Sequence, residues 1–201
     1  MMKQKTKNIL LNSLGVFFIL YGFFAMFNAY FFQSYPSGVF WFCYISMIII
    51  GVGALFRNSY IIAVQTSILF IPLIIWNIDF FYYLFTNEVL FGIVEGFFLN
   101  EDTISRIVSL EHIFLIPLSI YLIHLIKLKR VDFWKVSLIE IFLIFFITRI
   151  FTSAEHNINC VHASCFPFVG NYLFPIVWFT LGFCAVTLGT LALLRMKFLF
   201  D

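Results

Sequence analysis

The chain has 201 residues, of which 63% are hydrophobic, 21% aromatic and only 11% charged. Soluble domains carry roughly 25% charged residues, so this composition excludes an ordinary soluble globular domain. The formal net charge of +2 comes from dispersed basic residues, which excludes a basic nucleic-acid-binding surface. Lipid is the natural solvent for so apolar a chain, and we expect one transmembrane domain covering residues 1–201.

About six membrane-spanning segments are predicted in chain order. They are 9–32, 38–56, 60–86, 106–126, 133–151 and 171–196. Backbone groups inside a bilayer have no water to bond, so such segments form helices rather than open strands. The sequence therefore predicts an all-α, polytopic transmembrane helix bundle.

The basic residues indicate how this bundle is oriented. Lys and Arg concentrate in cytoplasmic segments, and an N-terminus inside the cell places most of the 12 basic residues there. Arg106 and Arg149 are the exceptions. The apolar run from Ile9 is too long for a signal peptide and lacks a small-residue cleavage site, so the first span is retained. We expect a multi-pass protein of the cell (inner) membrane with both termini in the cytoplasm.

Ionisable residues inside the predicted spans carry the functional information, because they are costly in lipid and usually face the bundle interior. At a rise of 1.5 Å per residue, Cys43, Asp79 and His112 each lie roughly 8–10 Å below the outer surface. Arg149 lies near the outer end of the fifth span. We predict that these side chains, from separate helices, converge in a cavity within the outer leaflet.

The loop 152–170 carries a second signal, with His156, Cys160, His162 and Cys165 in close succession. This spacing could hold a metal ion. Outside the cytoplasm Cys160 and Cys165 could instead oxidise, and two free thiols are the third alternative. We take a disulfide between Cys160 and Cys165 as the prediction, and we expect no metal and no cofactor.

Short motifs in the central part of the chain suggest a family. Gly-Val-Phe-Trp-Phe-Cys43 opens the second span, Trp-Asn-Ile-Asp79-Phe lies near the end of the third, and Ser-Leu-Glu-His112 lies early in the fourth. On these residues the chain resembles the YwaF-like bacterial membrane proteins, which are distantly similar to the androgen-induced-gene and ADTRP hydrolases and intramembrane acyltransferases of animals. The bacterial proteins often carry His two residues before the Cys, where this chain has Trp41.

The resemblance implies an intramembrane lipid-ester hydrolase or acyltransferase whose partners are membrane lipids. His112 would be the general base and Cys43 the nucleophile, with Glu111 or Asp79 fixing the tautomer of His112. Arg149 would bind an ester oxygen, a phosphate or a developing oxyanion. Further candidate substrate-binding residues are Asn77, Glu155 and His156.

Two other interpretations fit the same residues. Asp79, Glu111, His112 and Arg149 could line the pathway of a small-solute or ion transporter. No inverted repeat is evident in the sequence, and the polar groups gather at one level, which weighs against transport. A structural membrane subunit, in which these residues join helices, is the third interpretation.

Overall fold

A computed structural model describes residues 3–32, 36–99, 102–165 and 174–200. Its α-helices are α1 (Gln4–Phe31), α2 (Phe42–Leu55), α3 (Ser59–Thr86), α4 (Glu95–Leu99), α5 (Thr103–Ser109), α6 (Glu111–Ile126), α7 (Phe133–Phe151) and α8 (Phe174–Arg195). Short 3-10 helices lie at Pro36–Phe40, Ile158–Cys160 and Lys197–Leu199. The described ranges contain no strand, so the predicted all-α class is confirmed.

Four helical segments are long and apolar enough to cross a membrane: α1, α3, the joined α5 and α6, and α8. At 14 residues, α2 is only about 21 Å long. The 19 residues of α7 include three charged side chains, Lys135, Glu140 and Arg149. These helices follow the segments predicted from the sequence, although the start of the sixth, at 171–173, lies outside the described residues.

Glycines bring two pairs of helices into backbone contact. A Cβ on Gly51 of α2 would lie 2.6 Å from the carbonyl oxygen of Gly15 in α1. A Cβ on Gly189 of α8 would collide with the carbonyl oxygen of Ser67 in α3. Small residues are favoured where membrane helices approach closely, because association there depends on van der Waals packing. The first contact sets the position of α2, which carries Cys43, against α1, and the second sets α8 against α3.

A chain of buried polar side chains joins three helices. Ser46 on α2 donates to Oε1 of Gln65 on α3 at 2.8 Å. The Nε2 of Gln65 in turn donates to the two carboxylate oxygens of Glu140 on α7, at 2.9 and 2.8 Å. Polar side chains in an apolar bundle need such partners, because an unpaired polar group in hydrocarbon is costly. The network therefore sets the relative positions of α2, α3 and α7.

Candidate functional site

Three of the four residues predicted to be catalytic meet in one place. Cys43 is the second residue of α2, and Glu111 and His112 are the first two residues of α6. The Sγ of Cys43, a carboxylate oxygen of Glu111 and a ring nitrogen of His112 all lie within 4.8 Å of one another. Glu111 is fully buried, Cys43 is 8% exposed, and the His112 side chain is 18% exposed. We call this group the Cys–Glu–His cluster.

The ring of His112 is held on three sides. Its Nδ1 lies 2.8 Å from the carbonyl oxygen of Ser109 and 3.3 Å from Oε1 of Glu111. The indole of Trp76 stacks on the ring with 4.6 Å between centroids. A carbonyl oxygen accepts only from a protonated nitrogen, so the contact with Ser109 assigns the proton of the neutral ring to Nδ1. Nε2 is then the nitrogen that can accept a proton.

Glu111 is the unusual member of the cluster. Among the described residues, no donor forms a hydrogen bond of normal geometry to either of its carboxylate oxygens. Their polar neighbours are the thiol of Cys43 and the ring of His112. A buried polar group without a hydrogen-bond partner is rare and costs about 1–3 kcal/mol. A proton on the carboxyl group or a bound cation would offset this cost, which marks Glu111 as a candidate functional group.

The cluster also presents a set of donor atoms that fits a metal ion. A thiolate sulfur, a carboxylate oxygen and an imidazole nitrogen are the ligands that zinc prefers, and catalytic zinc sites keep three protein ligands and one open position. The sequence gives no signal of a metal at these three residues, because the adjacent Glu111 and His112 are far from Cys43 along the chain. Only the packing of α2 against α6 brings the three donors together.

Asp79 does not belong to the cluster, although the sequence predicts a similar depth for it. The carboxylate is fully buried. It accepts four backbone N–H bonds from the loop 90–94, two at each oxygen, at distances of 2.7–3.1 Å. The prediction that Asp79 fixes the tautomer of His112 is therefore wrong: its oxygens order the loop between α3 and α4, and Ser109 holds the imidazole instead.

Arg149 and Asn77 both donate to backbone carbonyl oxygens. The guanidinium of Arg149 donates to the carbonyl oxygen of Val161 and lies 5.6 Å above the ring of Phe145. It thereby ties α7 to the loop that follows, and the substrate contacts of Arg149 and Asn77 stay predictions. The amide nitrogen of Asn77 donates to the carbonyl oxygens of Leu73 and His112, at 2.7 and 2.8 Å. Asn77 thus joins α3 to α6 beside the cluster.

Glu155 and His156 lie in the turn after α7, with Glu155 exposed and His156 half-buried. Their substrate contacts stay predictions. Further along the same loop, Cys160 and Cys165 are joined by a disulfide. The side chain of Asn157 stabilises the turn of this loop, because its Oδ1 accepts from the backbone N–H groups of His162 and Ala163 at 3.0 Å each.

The disulfide loop is attached to the start of the helix that carries Cys43. The Oδ1 of Asn159 accepts from the backbone N–H of Phe42 at 3.0 Å. The Nδ2 of the same amide donates to the carbonyl oxygen of Phe40 at 2.8 Å and to Oγ1 of Thr148 at 3.0 Å. Asn159 therefore supplies the cap that α2 lacks in its own sequence. Sequence reasoning missed this role, because a capping residue so distant along the chain leaves no local signal.

Comparison with family models, with curated proteins and with solved structures finds no match to this chain. The chemistry of the site therefore rests on its own residues. The side chains of Cys43, Glu111 and His112 lie close enough to act on one bound group. They are held in place by four further residues: Asn159, Ser109, Trp76 and Asn77.

Proposed function

We propose that this chain is a multi-pass protein of the cell (inner) membrane, with six spans and both termini in the cytoplasm. Basic side chains from the start of α1, the turn between α2 and α3 and the connection between α6 and α7 gather at one end of the bundle. All three segments are cytoplasmic in this topology, as the positive-inside rule requires. The short α2 is preceded by the 3-10 helix Pro36–Phe40, which extends its reach.

Single cysteines test this topology in intact cells. A cysteine at Glu88, in the loop after α3, should react with a membrane-impermeant maleimide, whereas a cysteine at Lys129 should react only after lysis. The native Cys43 and Cys184 are first replaced by Ala and Ser. Equal labelling of both positions in intact cells would contradict the six-span arrangement.

Within the membrane, we propose that the Cys–Glu–His cluster performs acyl transfer on lipid esters, as a hydrolase or an acyltransferase. The observation that carries this proposal is the meeting of a thiol, a carboxylate and an imidazole within 4.8 Å. A nucleophile beside a base that is itself held by a third group is the arrangement that activates thiols and hydroxyls in enzymes. Here the thiol lies close to two bases, the carboxylate of Glu111 and the imidazole of His112, and Ser109 and Trp76 hold the imidazole.

The reaction proceeds in two half-reactions. Glu111 takes the thiol proton, and the sulfur of Cys43 attacks the ester carbonyl carbon. The carbon–oxygen bond of the ester then breaks, and the departing alcohol takes the proton from Glu111, which leaves a thioester on Cys43. In the second half, water or an acceptor alcohol loses its proton to Nε2 of His112 and attacks the thioester. That proton passes to the departing sulfur, which restores the thiol.

His112 is the most exposed member of the cluster, and it therefore marks the side from which a substrate approaches. A position roughly 8–10 Å below the outer surface is near the ester linkages of a lipid, because the hydrocarbon core is about 30 Å thick. The depth of the cluster thus suits a lipid ester better than a water-soluble one.

Labelling with an alkyl fluorophosphonate and turnover of a medium-chain p-nitrophenyl ester test the acyl-transfer proposal. Cys43→Ala should abolish both signals, and Glu111→Gln and His112→Asn should lower turnover by about 10²–10⁴-fold, the usual contribution of acid–base catalysis. Cys184→Ala is the matched control, because Cys184 is an exposed thiol on α8. Wild-type turnover in Cys43→Ala would remove the proposal.

A metal centre at the same three residues is the second candidate, and the bare carboxylate of Glu111 favours it. In this case Cys43 is a ligand rather than a nucleophile, and the open position of the metal would polarise a substrate carbonyl. Zinc should then be present at one ion per chain in the purified protein and should be lost in Glu111→Gln. A zinc-free preparation that turns over the ester at the full rate would exclude this candidate and leave the thiol mechanism standing.

A further inference from the structure

A cavity opens at the end of the bundle where α1 begins. Its lining contains none of the residues of the Cys–Glu–His cluster. Its volume is about 530 Å³. Five basic side chains line it, and they come from three separate segments of the chain: Lys7, Arg57, Lys127, Lys129 and Arg130. Every lining residue belongs to the described part of the chain, and none carries a carboxylate. We call this the basic cavity.

Two of the five cations are held in place by hydrogen bonds to neutral acceptors around the cavity. Arg57 donates to the carbonyl oxygen of Ala54 at 2.7 Å and to Oδ1 of Asn12 at 2.6 Å. Lys127 donates to the carbonyl oxygen of Phe198 at 3.0 Å. These bonds fix the charges with neutral acceptors, so they leave the positive charge of each side chain uncompensated.

The remaining cations differ in their partners. Arg130 forms an ion pair of 2.8 Å with Asp132 and lies 4.6 Å above the ring of Tyr60. Within the ranges that the structure describes, the side-chain ammonium groups of Lys7 and Lys129 have no hydrogen bond and no acidic partner. Like charges around one cavity repel each other, and a bound anion relieves that repulsion. The electrostatics of the basic cavity therefore select a ligand that carries negative charge.

The apolar part of the lining narrows the chemistry further. Leu11, Phe56 and Ile126 line the same cavity as the five cations. Leu11 and Ile126 belong to helical segments that are long and apolar enough to span a membrane. A site with a cationic rim and an apolar wall at the membrane boundary matches a phosphate group attached to a hydrocarbon chain.

We propose that the basic cavity binds a phosphate-bearing anion, and that the headgroup of an anionic phospholipid supplies it. Lys and Arg are the side chains that bind phosphate, and basic pockets between transmembrane helices on the cytoplasmic side bind anionic headgroups. The site is separate from the proposed acyl-transfer chemistry, so either proposal can fail without the other.

Native mass spectrometry of the full chain in detergent, with short-chain phosphatidylglycerol and phosphatidylcholine as probes, tests this site. The double variant Lys7→Gln/Lys129→Gln removes two charges from the cavity, and Lys3→Gln/Lys5→Gln removes two charges from the same end of the chain outside the lining. The lining variant should bind phosphatidylglycerol about tenfold or more weakly, and the control should change by less than about twofold. Circular dichroism verifies that both variants are folded.

The outcomes separate the sources of the anion. Inorganic phosphate that fails to displace phosphatidylglycerol supports the lipid headgroup, whereas full displacement at millimolar phosphate supports a free phosphate as the ligand of the same site. Equal loss of binding in the two double variants would overturn the proposal, because the attraction would then come from the general charge of this end. Phosphatidylcholine binding as tightly as phosphatidylglycerol would overturn it as well.

Discussion

The side-chain amide of Asn159 forms three hydrogen bonds, with Phe42, Phe40 and Thr148, and its removal should loosen the start of α2. Asn159→Gly is the sharpest perturbation, because Asn159 has a φ of 53° and glycine adopts that left-handed backbone without steric cost. At about 1 kcal/mol for each hydrogen bond, the free energy of unfolding should fall by roughly 3 kcal/mol.

Two further substitutions at this position predict an order of stability. Asn159→Asp keeps the oxygen that accepts from the N–H of Phe42 and loses both donors, so the loss should be nearer about 2 kcal/mol. Asn159→Ala loses all three bonds and adds about 1–2 kcal/mol of strain, because alanine lacks the short polar side chain that lets asparagine adopt the left-handed region. The expected order of decreasing stability is wild type, Asp, Gly, Ala.

Asn87→Gly is the matched control. Asn87 ends α3 with a φ of 58° and is exposed, and the structure gives its side chain no hydrogen bond. The same substitution there should change stability by less than about 0.5 kcal/mol. The assay is chemical unfolding in detergent micelles followed by tryptophan fluorescence, together with the rate at which Cys43 is alkylated in a Cys184→Ala background.

The two readouts should move together in Asn159→Gly. Loosening of α2 exposes the buried thiol, so alkylation of Cys43 should accelerate as stability falls. If Asn159→Gly unfolds at the wild-type denaturant concentration and Cys43 reacts at the wild-type rate, the reasoning about this cap is refuted.

Four other substitutions follow from the structure. Gly51→Ala should push α1 and α2 apart and lower the free energy of unfolding by roughly 1–3 kcal/mol. Gly96→Ala is the control and should be neutral, because a Cβ there meets nothing within 4 Å. Equal unfolding midpoints for the two variants would contradict the close contact between α1 and α2. Gln65→Leu should cost about 2–3 kcal/mol in the same assay, because a charged group loses its donor; a wild-type midpoint would show that the polar network adds nothing. Asp79→Asn should increase proteolysis of residues 88–99, because the carboxylate of Asp79 orders this segment, while ester turnover persists. A loss of turnover with no increase in proteolysis would show that Asp79 acts in the reaction. The hydroxyl of Ser105, followed by backbone N–H groups at the start of α5, lowers the pKa of Asp102 below its ordinary value of 3.8. The ionised carboxylate is therefore favoured by folding, and its stabilisation is complete above the unfolded pKa. The protection of backbone amides at the start of α5, relative to an unstructured peptide at the same pH, should fall only as the pH drops below about 4. Asp102→Asn should remove that pH dependence, because asparagine caps without an ionisable group, and a dependence that persists in this variant would contradict the role of the Asp102 carboxylate.

The helices were predictable because a membrane leaves the backbone few choices. A segment such as 133–151 is mostly apolar although it carries three charged side chains, and in lipid it must satisfy its own N–H and C=O groups within one helix. The structure has a helix over those same residues, Phe133–Phe151. The prediction of 106–126 was less complete, because the helical segment begins at Thr103 and is interrupted at Leu110, between α5 and α6. That interruption places Glu111 and His112 at the start of α6. No pattern in the sequence predicts the interruption.

The sequence predicts a depth for each polar side chain, but it does not predict the direction in which the side chain points. Counting residues along a helix gives the level at which Cys43, Asp79 and His112 lie, because the rise per residue is constant. The direction in which each side chain points depends on how the helices pack, and contacts such as that of Gly51 with Gly15 decide this. For that reason Cys43 and His112 meet, as their levels suggested, whereas Asp79 at a similar level binds a loop.

The sequence alone determined that the chain is helical and suited to lipid, because composition and the length of apolar runs are properties of the chain itself. The tertiary structure decided that Cys43 meets Glu111 and His112, that Asn159 caps α2, and that five cations line one cavity. Each of these depends on residues far apart in the chain being brought together, and only the packing of complete helices achieves that.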